Sequence, residues 1–396
     1  MPYGPQWRKH RALFHQYFNA GNTSDYHPLQ LKETHVMLRN LAESPDVIYH
    51  HVRRSAAAVV MKASYGHQIA PEGDIYVTLA DEALTGLAQS GIFGTFLVDY
   101  IPLLKYIPAW MPGAGFQRKA RAWRKANQSM LNMPFEMVKQ RMASNTAVPC
   151  FVTAELERGF QSSSQEYDEQ LIKDVAAIAY AAGADTTVSA ILSFFLAMTA
   201  YPEVLKKLQG EIDRVVGNER LPDFSDRNSI PYVDWVVWEC LRWNPVTPFG
   251  LAHQVIEDDV YDGYWIPKGT TIIPNVWGIL HDETTYPDPL RFDPDRYADS
   301  KRNAELGINE LPYPAFGFGR RMCPGRWLAI DSVWIAVATV AATFDVLKAL
   351  DEKGVPQEPD IEYTSTLLSR PKSLRCRIVP RSDATAALIS QTAEYV

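Results

Sequence analysis

The sequence has 396 residues, of which 46% are hydrophobic, and it carries a formal net charge of −7 at pH 7. A chain of this length and apolar content can bury a large core, whereas its negative charge argues against nucleic acid as a partner. The four cysteines show no CxxC spacing, which argues against a disulfide scaffold and a zinc site and favours a reducing compartment.

Helical periodicity dominates the chain as far as residue 243. No repeat or low-complexity linker interrupts the sequence, so residues 1–396 are predicted to form a single domain. Residues 1–6 contain no apolar h-region, which argues against a signal peptide or an anchor at this end. The predicted helices, in chain order, cover residues 7–18, 29–41, 45–64, 76–91, 115–143, 168–200, 202–216 and 232–243.

The apolar stretch of residues 175–200 contains one charged residue, Asp185. It is long enough to span a bilayer, but an acidic residue within a membrane is costly. Small residues at its centre suit the close approach of a ligand. This stretch is therefore predicted to be a central helix buried in a globular protein.

A second apolar stretch begins at Ile92 and ends at Met111. Charged residues and prolines break it, so it cannot form a spanning helix. Two interpretations remain open: a packed loop between helices, or a substrate-access loop that enters the membrane surface.

Beyond residue 243 the sequence becomes richer in β patterns. Strands are predicted at residues 260–266 and 270–276, on either side of a turn at Pro267-Lys268-Gly269, and again at residues 373–379. The predicted fold class is mostly α with a small β-rich section (α+β).

Cys323 lies in a loop that reads Phe316-Gly-Phe-Gly-Arg-Arg321-Met-Cys323-Pro-Gly325, directly before a predicted helix at residues 327–340. A thiolate requires nearby positive charge or backbone N–H donors at neutral pH, and such a loop supplies both. The three other cysteines are interpreted as small buried hydrophobic residues.

Three further clusters have both a structural and a functional interpretation. Asp185 and Thr186, in the middle of the helix 168–200, could cap or kink it through bonds to the preceding turn, or could relay protons. Glu239 and Arg242 share one helix face at i, i+3, as a surface pair or as a buried pair with further partners. Trp7 and Arg11 lie one turn apart, on a basic surface helix or as a recognition site for a carboxylate.

The loop pattern F-x-x-G-x-R-x-C-x-G resembles the haem-ligand loop of the cytochrome P450 family, and the other clusters follow in that family's order. The resemblance implies a haem-thiolate monooxygenase in which Cys323 is the axial ligand of iron and Phe316, Arg321 and Gly325 belong to the cofactor loop. It implies that Asp185 and Thr186 are the acid–alcohol pair that delivers protons, and that Gly183 leaves room for dioxygen. Glu239 and Arg242 would form a structural cluster with Arg296 of the segment Pro294-Asp295-Arg296.

The resemblance also implies the cofactors, partners and location. Haem b would be held at its propionates by Trp7, Arg11, His253 and Arg321, and NADPH-derived electrons would arrive through NADPH-cytochrome P450 reductase. One atom of O2 would enter an apolar substrate such as a secondary metabolite, terpenoid, polyketide or fatty acyl chain. The expected location is the cytosolic face of the endoplasmic reticulum membrane, with surface contact near residues 92–111. The predicted pocket residues are Ala179, Ala182, Thr186, Val246, Phe249, Leu251, Thr366 and Leu367.

The chain differs from the family at its N-terminus. It is most similar to fungal microsomal members, and it is expected to be a P450 fold that lacks the N-terminal anchor, the first strands and the first helices. The strand 270–276 is expected to need sheet partners from that region. Two other functions remain open: a haem-thiolate isomerase or dehydratase, and a truncated chain without catalytic activity.

Overall fold

Helices form most of the protein and largely follow the predicted ones. The structure, a computed structural model, describes residues 1–91, 94–161, 168–308 and 311–395. Its α-helices are α1 (Pro5–Phe18), α2 (His27–Glu43), α3 (Ile48–Tyr65), α4 (Ile75–Ser90), α5 (Leu97–Tyr100), α6 (Gly115–Ala143), α7 (Phe151–Gln161), α8 (Glu169–Ala200), α9 (Pro202–Val216), α10 (Pro231–Trp243), α11 (Val276–Leu280), α12 (Ser300–Glu305), α13 (Arg326–Thr343) and α14 (Asp383–Gln391).

Local sequence signals set several helix ends. The Asp74 carboxylate accepts hydrogen bonds from the N–H groups of Tyr76 and Val77 and so caps the start of α4. Gly66 ends α3 in the left-handed conformation, with φ of 63°, which glycine adopts without steric cost. Pro45 to Val47 form a separate 3₁₀ turn before α3, so the helix predicted at residues 45–64 begins three residues late. Helices α7 and α14 lie outside the predicted helices.

The chain divides into two compact units, and the prediction that residues 1–396 work as one domain remains a prediction. Unit 1 comprises Met1–Val188, Trp327–Ser332 and Thr392–Val396, and unit 2 comprises Ser189–Arg326 and Val333–Gln391. Helices α8 and α13 each contribute residues to both units.

The core of unit 1 forms between α1, α3, α4, α6, α7 and the first part of α8. Phe18, Tyr65 and Tyr180 are among its large buried side chains, and the rings of Tyr65 and Tyr180 meet edge to face with centroids 6.5 Å apart. Gly183 explains how closely α8 approaches α3, because a Cβ there would lie 2.7 Å from Cγ2 of Val60. The small residues of α8 therefore serve helix packing.

Unit 2 packs α10 against the irregular segment that follows α11. Tyr286, Tyr297 and Ile308 form a buried cluster there with Val276 and Leu280. This cluster surrounds the Glu239 and Arg242 pair of α10, which is described below.

The β-rich section consists of two-stranded antiparallel sheets: β1 (His253–Gln254) with β4 (Thr271–Ile272), β2 (Asp259–Tyr261) with β3 (Tyr264–Ile266), and β5 (Phe344–Lys348) with β6 (Cys376–Pro380). Two strand predictions are wrong in detail. Residues 260–266 fold back on themselves as a hairpin, because Asp262 and Gly263 adopt positive φ values of 48° and 79°. Of residues 270–276, only Thr271 and Ile272 form a strand, which pairs with His253–Gln254.

Two helices, Glu169–Ala200 and Arg326–Thr343, have the length and hydropathy to cross a membrane. Their most apolar windows are 67% and 72% buried, as expected for core helices, and this weakens the case for a membrane span. The burial of α8 agrees with its predicted place as a central helix.

Candidate active site and cofactor site

Cys323 lies near the end of a glycine-rich loop that leads into α13. Its N–H donates to the carbonyl of Phe316 at 2.8 Å and closes the loop. Gly317 and Gly319 have φ values of 83° and 54°, a region in which glycine carries no steric penalty. Because α13 begins at Arg326, the thiol lies close in sequence to the positive end of a helix dipole, which favours a thiolate.

The side chains around Cys323 offer apolar surface to a large cofactor. Cys323 itself offers sulfur, a soft donor, to a metal. Cys323 and Phe316 are half-buried, and the ring of Phe318 is 42% exposed. A thiolate is a soft donor suited to iron in haem. The loop therefore offers both the donor and an accessible apolar surface, and the residues present fit a haem.

The other three cysteines are poor candidates for a thiolate. Burial raises the pKa of Cys150 and raises that of Cys240 well above its usual range. Burial also raises the pKa of Cys376 to about 11. A neutral thiol is a weak metal ligand, so these residues are structural.

Asp185, in the middle of α8, is held by a residue that the sequence did not indicate. Arg53 of α3 forms ion pairs with Asp185 and with Asp81 of α4. Arg53 is 7% exposed, and these ion pairs compensate its buried charge. The one available signal was the position of Arg53 in an apolar helix, where a buried charge requires a partner.

Thr186 and Gly183 lie within one helical turn of Asp185 on α8. The Thr186 hydroxyl donates to the Ala182 carbonyl at 2.7 Å, so it bonds back to the preceding turn as predicted. Its oxygen keeps lone pairs that can accept a hydrogen bond from a further donor. The interpretation that Gly183 leaves room for dioxygen needs correction, because Val60 fills the space where its Cβ would point.

The α8 residues predicted to line the substrate pocket differ in exposure. Ala179 is 6% exposed and lies in the core of unit 1, so it does not line an open space. Ile178, the preceding residue, is instead 56% exposed, and Ala182 is exposed one turn later. Residues four apart share a helix face, so Ile178 and Ala182 form the open side of the helix.

Glu239 and Arg242 form a fully buried ion pair in unit 2. Arg242 Nε donates to Glu239 Oε2 at 2.7 Å, and both side chains have zero exposure. Arg242 also donates to the carbonyls of Leu280 and Pro289, at 3.0 and 2.8 Å. Arg296 Nε donates to Glu239 Oε1 at 3.1 Å, so the structure brings the three predicted residues together.

Sequence comparison places these features in a family. A family model described as cytochrome P450 matches residues 1–376. The chain belongs to the cytochrome P450 family.

Curated fungal proteins resemble this cytochrome P450 over nearly its whole length. A cytochrome P450 monooxygenase of Armillaria gallica is 42% identical over 99% of this chain and 76% of its own. Cytochrome P450 monooxygenase 98 of Postia placenta is 41% identical over 98% and 75%. Tryptamine 4-monooxygenase of Psilocybe cyanescens is 36% identical over 98% and 76%.

Family membership establishes the general chemistry. This cytochrome P450 is a haem-dependent monooxygenase that acts on a small molecule with O2 and a redox partner. The haem supplies the redox chemistry, while the protein supplies ligation, proton delivery and positioning.

The remaining predicted pocket residues of the P450 lie in unit 2. The Ser369 N–H donates to the Val246 carbonyl at 2.8 Å, so the segment after α10 meets the turn near the C-terminus. Phe249 and Leu251 are 63% and 62% exposed, Thr366 is exposed and Leu367 is half-buried. The structure thus joins Val246 to Ser369, two residues beyond the predicted pocket residue Leu367.

The residues predicted to bind the haem propionates are distributed between the units. Trp7 and Arg11 of unit 1 line one open cavity of about 340 Å³. His253 lies exposed in β1, and Arg321 is half-buried at the end of the 3₁₀ turn Gly319–Arg321, both in unit 2.

Proposed function

We propose that this cytochrome P450 binds haem b through the Cys323 thiolate and inserts one oxygen atom of O2 into an apolar small molecule. The observation that carries the proposal is the Cys323 loop, in which this cysteine precedes the N-terminus of α13, while burial raises the pKa of each of the other three cysteines. Phe316, Arg321 and Gly325 would complete the cofactor loop. Trp7, Arg11 and His253, together with Arg321, would contact the propionates.

Asp185 and Thr186 would hold and move the protons that the reaction consumes. The Thr186 oxygen can accept a hydrogen bond, and so position a proton donor, while its own hydrogen remains bonded to the Ala182 carbonyl. Asp185, anchored by Arg53 and with its side chain 16% exposed, would pass protons from solvent toward Thr186. Gly183 would act only indirectly, by letting α8 approach α3.

The substrate would be an apolar secondary metabolite, terpenoid, polyketide or fatty acyl chain. The supporting observation is the apolar character of the exposed residues near the predicted pocket, Ile178, Ala182, Phe249 and Leu251. An indole is a further candidate, because the relative from Psilocybe cyanescens is named a tryptamine 4-monooxygenase. Apolar pockets with few polar groups bind such molecules mainly through burial.

Electrons would come from NADPH through NADPH-cytochrome P450 reductase, at the cytosolic face of the endoplasmic reticulum membrane. Membrane contact near residues 92–111 is supported by the exposure of Leu103, Tyr106 and Trp110, at 75%, 73% and 80%. Ile92 and Phe93 lie outside the described residues.

Reduced-CO difference spectroscopy of the purified protein tests the central proposal. The wild-type protein should show the spectrum of a thiolate-ligated haem, and Cys323→His should abolish it. Cys376→Ser is the matched control and should keep the spectrum, because this buried thiol is not proposed to ligate iron. A thiolate spectrum that persists in Cys323→His would disprove the assignment.

A further inference from the structure

A second open cavity lies in unit 1, between the end of α4 and the first half of α6. Its volume is about 440 Å³, within the range of small-molecule sites. Phe96, Val98, Phe116 and Trp123 give it apolar walls, and Arg124 lines it as well. None of these residues belongs to the proposed haem, proton-relay or substrate sites.

The walls of this cavity are fixed by close packing. Trp123 lies directly over α4 at Gly86, where a Cβ would come within 2.6 Å of the indole ring. The Phe96 ring meets the Trp123 ring edge to face, with centroids 6.0 Å apart. The loop that carries Phe96 is held by Asp99, whose Oδ2 accepts from the N–H groups of Gly94 and Phe96 at 3.0 and 3.2 Å.

Basic residues dominate the sequence around this cavity. Asp99 is the one acidic residue in its lining, and its carboxylate is engaged by the two N–H groups of its own loop. Arg124 is exposed and, among the residues that the structure describes, has no hydrogen-bond or ion-pair partner. Between Asp99 and Glu136 the sequence contains no acidic residue and six basic ones: Lys105, Arg118, Lys119, Arg121, Arg124 and Lys125.

We propose that this cavity binds an anionic amphiphile, a molecule with one apolar chain and one acidic head group. The aromatic walls would bury the chain, and the Arg124 guanidinium would pair with the carboxylate or phosphate. A cationic or neutral amphiphile would lack that partner, and a cation would meet the positive field of the neighbouring basic residues. The same chemistry is offered by a free fatty acid and by an acidic phospholipid.

Photo-crosslinking tests the site without relying on enzyme activity. The full-length chain is irradiated with a diazirine analogue of dodecanoate, and labelled peptides are mapped by mass spectrometry. Labels are expected between residues 90 and 127, and they should be displaced by dodecanoate more effectively than by dodecanol. Binding of dodecanoate at the haem is followed separately through the haem absorption spectrum. The labelling result can therefore be interpreted even if the proposed monooxygenase function is wrong.

Two variants and one control identify the residues responsible. Arg124→Gln should weaken dodecanoate binding at this site about tenfold, the loss of one charged hydrogen-bonded contact, and leave dodecanol binding unchanged. Ala120→Trp should fill the cavity and abolish labelling. Lys125→Gln removes the adjacent exposed charge, which does not line the cavity, and should have little effect. Labelling of residues 90–127 that is insensitive to both Arg124→Gln and Ala120→Trp would overturn the proposal.

Vesicle co-sedimentation separates the two sources. The vesicles consist of phosphatidylcholine with phosphatidic acid. If the ligand is a lipid of the bilayer, Arg124→Gln should weaken binding of the protein to these vesicles more than Lys125→Gln does. Equal vesicle binding by the two variants, with dodecanoate binding still dependent on Arg124, identifies the free acid as ligand. Absence of an Arg124 effect in both assays contradicts the proposal.

Discussion

Arg53 on α3 is paired with Asp185, the acid of the proposed proton relay on α8. The two side chains are 9% and 16% exposed, and the second amino group of Arg53 pairs with Asp81 on α4. Three helices thus meet at one guanidinium. Removing Arg53 would take the ion-pair partner from both carboxylates, so the three side chains act as a unit.

Arg53→Gln is expected to destabilise the protein by about 3–5 kcal/mol, the usual cost of breaking a buried ion pair. Urea unfolding followed by circular dichroism measures this. Arg53→Lys keeps the charge but loses the forked geometry, so it should cost less. The double variant Arg53→Gln/Asp185→Asn should be more stable than the sum of the single effects predicts, by about 1–3 kcal/mol. Additive effects would show that the two residues do not interact.

Thr186→Ala is expected to uncouple the enzyme, because the hydroxyl that orders proton delivery is lost while Cys323 is untouched. NADPH would still be consumed, with more hydrogen peroxide and less product per NADPH. Thr187→Ala, at the adjacent buried position, is the matched control and should retain the wild-type ratio. An unchanged ratio of product to NADPH in Thr186→Ala would rule out the relay.

Sequence patterns predicted the features that depend on neighbouring residues. The helices at residues 115–143 and 202–216 agree with the structure at both ends, because long periodic segments are a strong local signal. Glu239 and Arg242 were found through their i, i+3 spacing. The hairpin at Asp262-Gly263 was missed although its Asp-Gly turn is also a local signal, because the flanking apolar residues resembled one continuous strand.

Long-range relationships could not be predicted in this way. Arg53 and Asp185 are 132 residues apart, and no local pattern links them. The true reason for Gly183 depends on Val60 of another helix, and the exposure of Ile178 in place of Ala179 depends on the helix rotation that tertiary packing selects. These properties follow from packing between helices and not from the sequence near each residue.

Arg242→Ala is expected to prevent folding rather than alter catalysis. It would leave Glu239 buried with fewer donors and the carbonyls of Leu280 and Pro289 without theirs, at a cost of about 3–5 kcal/mol. That is a large part of a typical stability of about 5–15 kcal/mol. Arg296→Ala should act in the same direction. Soluble expression and thermal unfolding provide the measurement.

Arg214→Ala is the matched control for Arg242→Ala. Arg214 also pairs with an acid at i, i+3, Glu211, but on the surface, where its side chain is 64% exposed. Such pairs contribute about 0–1 kcal/mol, so this variant should fold normally. An Arg242→Ala protein as stable as Arg214→Ala would refute the structural role of the buried cluster.

Acid should destabilise the protein partly through His281, which is 8% exposed and stacks on Trp277 with ring centroids 4.1 Å apart. Burial, assisted by the positive charge of Arg242, lowers the pKa of His281 from its usual 6.5 to about 4, although the Trp277 carbonyl opposes this. The unfolded chain therefore binds a proton first as the pH falls. The contribution of neutral His281 to the stability of the folded protein is complete above about pH 6.5 and is lost progressively down to about pH 4. The total loss is on the order of 3 kcal/mol.

His281→Gln should flatten this pH dependence, because glutamine does not titrate. The free energy of unfolding, measured in urea at intervals from pH 7 to pH 4, should fall less steeply for the variant than for the wild type. Part of the slope should remain, since burial also lowers the pKa of His35 to about 4. His50→Gln, at an exposed position of α3, is the control and should keep the wild-type slope. Identical slopes for wild type and His281→Gln would mean that the pKa of His281 is the same in the folded and unfolded chains, against the burial that the structure shows.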